Sequence, residues 1–304
     1  MAALTTCSCR PEKSKKEKII NEKSLFFKIS LAQWSLHRSI EAKTEDPSLF
    51  PMTTRQKFDI GAVEYVNQFY VDKVKDAAYW RSLRKQAEDQ DVRSLLIMVD
   101  NEGDLGNLDD TQRSTSVTNH HKWVDAASML GCHSIRINAF GDGSKEDVGS
   151  AMVDGLGRLC EYAGKSDIHV LIENHGLYSS DPAWVAKIIN EIGLSNCGTL
   201  PDFGNFCLSA KWGSTQDGSC EDAYDLYDGV KEMLPYAKGV SAKSYMFDES
   251  GDQVMIDYDT MLRIVKDAGF NGYIGIEYEG SDKSEEEGIR ATKALLEKIG
   301  MTLS

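Results

Sequence analysis

Charged side chains end four successive apolar runs in the second half of the chain. These end residues are Glu173, Asp202, Lys243 and Glu277. Carboxylates that converge on one place repel each other and resist losing water, so they need a cation or a shared proton. Because Mn²⁺ and Mg²⁺ prefer hard oxygen ligands, the three carboxylates are predicted metal ligands. In the alternative interpretation, Lys243 neutralises part of the cluster without a metal.

Convergence of these residues depends on the elements that carry them. From residue 25 onward, short apolar runs typical of buried parallel strands alternate with longer stretches that have helical apolar spacing. The predicted strands are 27–32, 62–66, 94–99, 134–138, 169–173, 198–202, 239–243 and 273–277. The predicted helices are 76–90, 112–130, 145–163, 182–192, 224–234, 259–268 and 284–299. This alternation predicts a single (β/α)8 TIM barrel domain over residues 25–304, with an open doubly wound sheet as the alternative. The carboxyl ends of barrel strands share one rim, where active sites lie.

Composition narrows the classes of partner. The chain has 304 residues, of which 34 are basic and 48 acidic, and its formal charge is −14. Such a charge disfavours nucleic acid and anionic membrane surfaces as partners, and no apolar run is long enough to span a bilayer. A small-molecule substrate is therefore expected, and the sequence leaves open whether the chain forms a homo-oligomer.

The N-terminal segment and the cysteines bear on localisation. Residues 1–24 are polar and lysine-rich, which predicts a disordered tail, although residues 4–7 resemble the end of a bacterial lipoprotein signal. The five cysteines after residue 24 lack CxxC spacing and lie in apolar contexts, which predicts reduced, buried thiols. They are Cys132, Cys160, Cys197, Cys207 and Cys220. The expected location is cytoplasmic, or periplasmic and lipoprotein-like if residues 1–10 are a truncated signal.

Several segments together resemble the xylose-isomerase-like TIM-barrel family of sugar phosphate isomerases and epimerases. They are Leu171-Ile172-Glu173-Asn174-His175, Pro201-Asp202-Phe203-Gly204-Asn205, Gly275-Ile276-Glu277-Tyr278-Glu279, Ser30-Leu31-Ala32-Gln33-Trp34-Ser35 and Val63-Glu64-Tyr65. The resemblance covers residues 26–300 and implies a divalent ion held by Glu, Asp, His and Glu from strands five to eight. Glu173, Asp202 and Glu277 match three of these ligands. Ser241 stands where the family has histidine, and a hydroxyl is a much poorer ligand than an imidazole.

The resemblance also implies a reaction on a sugar. Glu173 and Glu277 are the predicted acid/base pair that moves a proton next to a carbonyl, and the metal or Lys243 would stabilise the enediolate. The expected activity is isomerisation or epimerisation of a sugar or keto-sugar. Elimination from a keto-sugar by a lyase or dehydratase is the alternative, and a non-catalytic sugar-binding barrel is an alternative of another class. Endonuclease activity on damaged DNA is disfavoured, because it usually needs a basic surface that faces the DNA and more histidines at the rim. This chain is acidic and has six histidines in all.

Further side chains are predicted to bind the substrate at the same rim. Arg136 and Asn138 lie two residues apart and so face one side of a strand, although an internal salt bridge of Arg136 with Glu173 is an equal alternative. His175 is also a possible substitute ligand for the missing histidine, as is a water held by Ser241. The full predicted set is Trp34, His37, Arg136, Asn138, His175 and Asn205. Outside it, His120 is expected on the surface of its helix.

Overall fold

Eight parallel strands form the centre of the molecule. The structure, a computed structural model, describes residues 24–213 and 220–304. The strands are β1 Lys28–Ala32, β2 Ala62–Val66, β3 Arg93–Val99, β4 Ser134–Asn138, β5 His169–Glu173, β6 Cys197–Leu200, β7 Val240–Ser244 and β8 Tyr273–Tyr278. Their order is β6-β5-β4-β3-β2-β1-β8-β7, and parallel bridges Thr199–Ala237 and Asp202–Ser241 join the two outer strands. The predicted TIM barrel is therefore confirmed.

Helices alternate with the strands. Within the described residues they are α1 His37–Glu41, α2 Phe50–Phe58, α3 Ala77–Asp89, α4 Asp110–Leu130, α5 Lys145–Gly164, α6 Pro182–Ile192, α7 Leu226–Met233, α8 Tyr258–Asp267 and α9 Glu285–Leu303. Short 3-10 turns cover Gln33–Leu36, Pro47–Leu49, Asn67–Lys73, Leu177–Ser180 and Leu234–Tyr236. Side-chain caps set several of the starts, such as the capping box of Ser284 and Glu287 before α9.

Periodicity located most of these elements closely, but it missed two of the helices. Strands β2, β4 and β5 and helix α6 have the predicted bounds. Helix α1 was not predicted, because five residues are too few to show a helical period. Helix α2 was not predicted, because its sequence FPMTTRQKF has a weak apolar stripe. The tail predicted for residues 1–24 lies outside the described residues, apart from Ser24. None of the helices in the described part of the chain has the length and apolar character needed to cross a bilayer.

Two predictions about individual side chains were wrong. His120 is 3% exposed, because its face of α4 packs inward and its Nδ1 finds a partner in the Ser116 carbonyl at 2.7 Å. Cys207 and Cys220 are not free thiols but form a disulfide. An antiparallel bridge between Cys207 and Ala223 brings the neighbourhoods of the two cysteines together. Cys132, Cys160 and Cys197 are free and buried, as expected.

A carboxylate lies inside the barrel. Glu64 on β2 is 2% exposed, and its Oε1 accepts a hydrogen bond of 2.6 Å from Ser30 Oγ on β1. Its Oε2 has no hydrogen-bond partner. Space for this side chain depends on Gly275 of β8, where a Cβ atom would lie 2.6 Å from Glu64 Oε1. Burial raises the pKa of Glu64 to about 7.

This raised pKa makes the stability depend on pH. Above pH 7 the folded protein must hold a buried negative charge, so stability is present at low pH and is lost as the pH rises through the folded pKa. We expect Glu64→Gln, which keeps the shape and the acceptor for Ser30, to raise the free energy of unfolding at pH 8 by up to about 3 kcal/mol. The gain should fall away toward pH 4.5, and denaturant unfolding at both pH values measures it. A gain that is independent of pH would contradict this explanation.

Candidate active site

A cleft of about 320 Å³ opens at the carboxyl ends of the strands. Residues on or just after seven of the eight strands contribute to it, because parallel strands bring their ends to one rim. Its walls are Trp34, Val66, Gln68, Asp100, Asn101, Arg136, His175, Asn205, Trp212, Glu277 and Glu279. Polar and charged groups dominate this wall, whereas the rest of the barrel interior is mainly apolar.

Three buried carboxylates lie together near the cleft. Glu173, Asp202 and Glu277 place ligand oxygens within 4.8 Å of one another. Ser241 lies between two of them, with its Oγ 2.5 Å from Asp202 Oδ2 and 2.8 Å from Glu277 Oε2. A hydroxyl has a single proton to donate, so one of these contacts requires a proton on a carboxyl group. The cluster as a whole therefore needs protons or cations.

Two buried cations compensate part of this charge. Lys243, on the same strand as Ser241, places its Nζ 3.2 Å from Glu277 Oε2 and 3.2 Å from Glu279 Oε2. Arg136 lies on the other side, with Nε 2.6 Å from Glu173 Oε2 and a hydrogen bond of 2.6 Å from its NH1 to Asp100 Oδ1. The contact with Glu173 is an ion pair without hydrogen-bond alignment, since neither atom has a hydrogen-bond partner.

The two glutamates consequently differ in protonation. Burial raises the pKa of Glu173 well above its usual value, and the nearby Arg136 only partly opposes this. Burial acts on Glu277 in the same direction, but Lys243, Arg136 and Ser241 together hold its pKa below the usual value. The site therefore presents one carboxyl that favours its proton and one that is ionised, the combination that acid/base catalysis uses. Burial also raises the pKa of Asp202 to about 7.

A chain of hydrogen bonds orients His175. Asp100 Oδ1 accepts from Asn138 Nδ2 at 2.6 Å, which leaves Asn138 Oδ1 to face His175 Nδ1 at 2.7 Å. An amide oxygen accepts only, so His175 carries a proton on Nδ1. Burial away from water lowers the pKa of His175 to about 3, and the positive charges of Arg136 and Lys243 act in the same direction. The ring is therefore neutral, and its Nε2 is an acceptor.

Aromatic rings form two walls of the cleft. Trp34 donates from Nε1 to Glu279 Oε1 at 2.5 Å, which connects this wall to Lys243. On the far side, Trp212 lies edge-on to His175 with ring centroids 5.0 Å apart. Flat apolar faces beside charged groups suit a sugar ring, which has an apolar face and polar edges.

Most of the predicted site residues lie together. Arg136, His175, Asn205, Glu277 and Trp34 line the cleft, and Glu173, Asp202 and Lys243 lie in the charged cluster. Asn138 is a link between Asp100 and His175, and Asn205 Nδ2 donates to Glu173 Oε1 at 3.4 Å. His37 is not among the residues that line the cleft, because its ring stacks on Trp34 at 4.5 Å. Its binding role stays a prediction.

Sequence reasoning missed several residues of this site. Glu279 shares a pair with Lys243, and its position two residues after Glu277 was a usable signal because alternate residues of a strand face one side. Trp212 had no such signal, since it lies in a loop far from any strand end along the chain. Both open interpretations of Arg136 apply, because it lines the cleft and also pairs with Glu173.

Comparisons with known proteins agree with this architecture. Among solved structures, 3-keto-D-glucoside 4-epimerase YcjR from E. coli has a TM-score of 0.63 at 13% identity, covering 84% of this chain and 95% of that one. The probable 3-DHS dehydratase AsbF from Bacillus anthracis has a TM-score of 0.63 at 14% identity, covering 88% and 98%. The IOLI protein, solved with a zinc atom, has a TM-score of 0.66 at 15% identity, covering 91% and 99%. At identities this low, the structural similarity shows a shared fold and nothing further.

The comparison with families goes further. No curated protein matches the chain by sequence. The profile that describes the xylose isomerase-like TIM barrel matches residues 56–299, which is most of the chain and includes strands β2 to β8. On that match, the chain belongs to the xylose isomerase-like TIM barrel family.

Proposed function

We propose that this protein is an enzyme that moves a proton next to the carbonyl of a sugar or keto-sugar, as an isomerase or epimerase. One observation carries the proposal: two glutamates from strands β5 and β8, Glu173 and Glu277, lie beside the cleft with ligand oxygens within 4.8 Å of each other. Lys243 and Arg136 supply positive charge next to them. Structural neighbours named as an epimerase and a dehydratase support an activity of this kind on this scaffold.

The roles of the two glutamates follow from their neighbours. Glu277, held ionised by Lys243, takes the proton from the carbon beside the carbonyl. Negative charge then develops on the carbonyl oxygen, where the Lys243 ammonium or the Arg136 guanidinium stabilises it. Glu173 keeps its proton and delivers it to the other face of the same carbon, which inverts the centre. Delivery to the former carbonyl carbon isomerises the sugar instead, when the proton of the adjacent hydroxyl moves to the former carbonyl oxygen.

A divalent metal ion fits the same carboxylates. Glu173, Asp202 and Glu277 offer three hard oxygen ligands, and Glu173 Oε2 has no hydrogen-bond partner although it lies 2.6 Å from Arg136 Nε. The ionised forms of these residues would hold the ion, and Ser241, which stands where the family has histidine, would offer a hydroxyl, a poorer ligand than an imidazole. When bound, the ion supplies a Lewis acid for the charge on the enolised oxygen. A solved neighbour that binds zinc supports this assignment in part.

Metal binding has a readout that does not depend on activity. We expect 1 mM Mn²⁺ to raise the melting temperature of the chelated protein by roughly 5 °C, because an ion at a hundred times its Kd adds about 2.7 kcal/mol. Asp202→Asn should abolish this shift, whereas Asp267→Asn, an exposed change on α8, should leave it intact. Differential scanning fluorimetry with and without EDTA measures both. Equal shifts in the two variants would remove Asp202 from the ligand set.

Exchange of hydrogen with solvent tests the proposed reaction directly. In D₂O, the enzyme should introduce deuterium at the carbon beside the carbonyl of keto-sugars, and proton NMR reads both exchange and any new epimer. A panel of ketohexoses, ketopentoses and 3-keto-glucosides identifies the substrate class. A protein that binds these sugars without exchanging any hydrogen would be a binding barrel, and the proposal would then be abandoned.

Elimination is a second candidate for the same site. Ser241 replaces a metal-ligating histidine, and Lys243 lies 3.2 Å from both Glu277 and Glu279, so a cationic acid stands beside the base. That arrangement suits protonation of a leaving group after the same first step. A neighbour named as a probable dehydratase supports this alternative. In the NMR experiment, loss of water or of an aglycone separates elimination from epimerisation.

A further inference from the structure

A second cavity adjoins the cleft, and the mechanism above does not use it. Its volume is about 240 Å³, and it shares the wall residues Asn101 and Trp212 with the cleft. Its other walls are Val99, Glu102, Gly103, Asp104, His120, Asn138, Phe140 and Lys211. The reacting groups Glu173, Glu277 and Lys243 are not among them. A ligand that fills both spaces therefore places one part near the reacting carboxylates and another part beyond Trp212.

The backbone of Trp212 is held in an unusual conformation at this boundary. Its φ is 61°, which is uncommon for a residue with a side chain, and its side chain is 43% exposed. The backbone N–H of Trp212 donates to the carbonyl of His175 at 3.1 Å, and Lys211 pairs with Gly176 in an antiparallel bridge. At Gly176, whose φ is 98°, a Cβ would lie 2.2 Å from the Ala210 carbonyl. The close approach of the two loops thus requires glycine.

A disulfide also holds this loop. Cys207 and Cys220 are bonded and enclose the segment that carries Trp212. Strained backbone persists where the surrounding structure maintains it, and such positions concentrate at functional sites. An indole held half-exposed by a bridge, a glycine and a disulfide is well placed to contact a ligand.

The lining of the second cavity indicates what kind of group it accepts. The Phe140 ring lies edge-on to Trp212 at 5.1 Å, and Lys211 Nζ lies 4.5 Å from the Phe140 centroid. Lys211 is paired with Asp104, and Glu102 is paired with Lys122, so every charged residue described in this lining already has an opposite partner. An anionic group such as a phosphate is therefore disfavoured. Aromatic faces suit an uncharged ring, which can stack on the indole.

We infer that the substrate has two parts, a keto-sugar in the cleft and an uncharged ring attached to it in the second cavity. The substrate class is thus a keto-glycoside whose aglycone is an aryl group or another sugar, and Trp212 is a specificity-determining residue. This inference rests on the proposed function for the identity of the reacting part. Binding of the second ring depends only on the cavity and on Trp212.

The inference is tested by measuring selectivity among 3-keto-glucosides. One structural neighbour is named for its action on a compound of this class. The substrates carry a methyl, phenyl or glucosyl aglycone, and solvent-deuterium exchange gives kcat/KM for each. We expect the phenyl or the glucosyl compound to exceed the methyl compound by roughly tenfold in the wild type, and Trp212→Ala to reduce that ratio to about one. Whichever compound is favoured identifies the ring as aryl or sugar.

Because kcat/KM is compared between aglycones as a ratio, a general loss of activity in a variant cancels out. A matched variant tests this. Trp34→Ala removes the other indole of the cleft, which is not a wall of the second cavity, so it should lower all rates while the ratio persists. If no compound exchanges deuterium, calorimetric Kd values for the same set give the ratio instead. A Trp212-dependent preference in binding then supports the second subsite although the proposed reaction fails. Equal values for all aglycones in the wild type, or a ratio unchanged in Trp212→Ala, would overturn the inference.

Discussion

Replacing Glu277 by glutamine should reduce the rate of hydrogen exchange by a factor of about 10² to 10⁴, the usual contribution of a positioned base. Glutamine keeps the volume of the side chain and can still accept from Ser241, so the fold should survive. What it loses is the negative charge that Lys243 holds ionised at 3.2 Å. Circular dichroism and thermal melting would verify the fold, and NMR in D₂O would measure the exchange.

A neighbouring carboxylate provides a matched control for this change. Glu279 also lies 3.2 Å from Lys243, but it is not part of the triad that includes Glu277. Glu279→Gln should therefore cost much less activity, and a loss as large as that of Glu277→Gln would refute the assignment of the base. Glu173→Gln gives a different signature. It should still exchange the hydrogen that faces Glu277, but it should form no epimer, because the acid on the other face is missing.

Replacing Lys243 by methionine should destabilise the protein by about 3–5 kcal/mol, the cost of removing one partner from a buried ion pair. Methionine fills nearly the same volume, so the loss reports charge rather than packing. Without the ammonium, burial would raise the pKa of Glu277 above its unfolded value. Stability would then be retained at low pH and lost as the pH rises, so the destabilisation should be smaller at pH 5 than at pH 8.

Two further variants make this prediction specific. Lys238→Met changes an exposed lysine just before β7 and should alter the free energy of unfolding by less than about 0.5 kcal/mol. The double variant Lys243→Met with Glu277→Gln removes both charges of the pair and should recover part of the stability, which a double-mutant cycle measures. A double variant whose loss equals the sum of the single losses would mean that the pair contributes no interaction energy.

The fold was predictable because it depends on local patterns. Apolar runs of about five residues alternating with helical spacing are visible in the sequence, and strands β2, β4 and β5 were located to the residue. The shared rim followed from the architecture, since parallel barrel strands must point their carboxyl ends the same way. That single rule predicted that Glu173, Asp202, Lys243 and Glu277 share one rim. It says nothing about distances.

Burial and pairing of individual side chains were harder to predict. His120 was expected at the surface and is buried, because a helix period shows which residues share a face but not which face turns inward. The Cys207–Cys220 disulfide was missed, because a 13-residue separation has no local signature and the loop must return before the cysteines meet. Glu64 was recognised only as part of a motif, and its burial depends on the missing side chain at Gly275 of a distant strand.

The sequence by itself determined the barrel, the rim and the kinds of charge that gather there, because these follow from short-range periodicity and from the polarity of parallel strands. Only the tertiary structure decided which cation meets which carboxylate: Arg136 pairs with Asp100 and Glu173, and Lys243 stands between Glu277 and Glu279. It also decided that Trp212 lines the cleft. Such contacts depend on barrel closure, side-chain rotamers and loop paths between residues far apart along the chain, and a few ångströms change both the pairing and the pKa values.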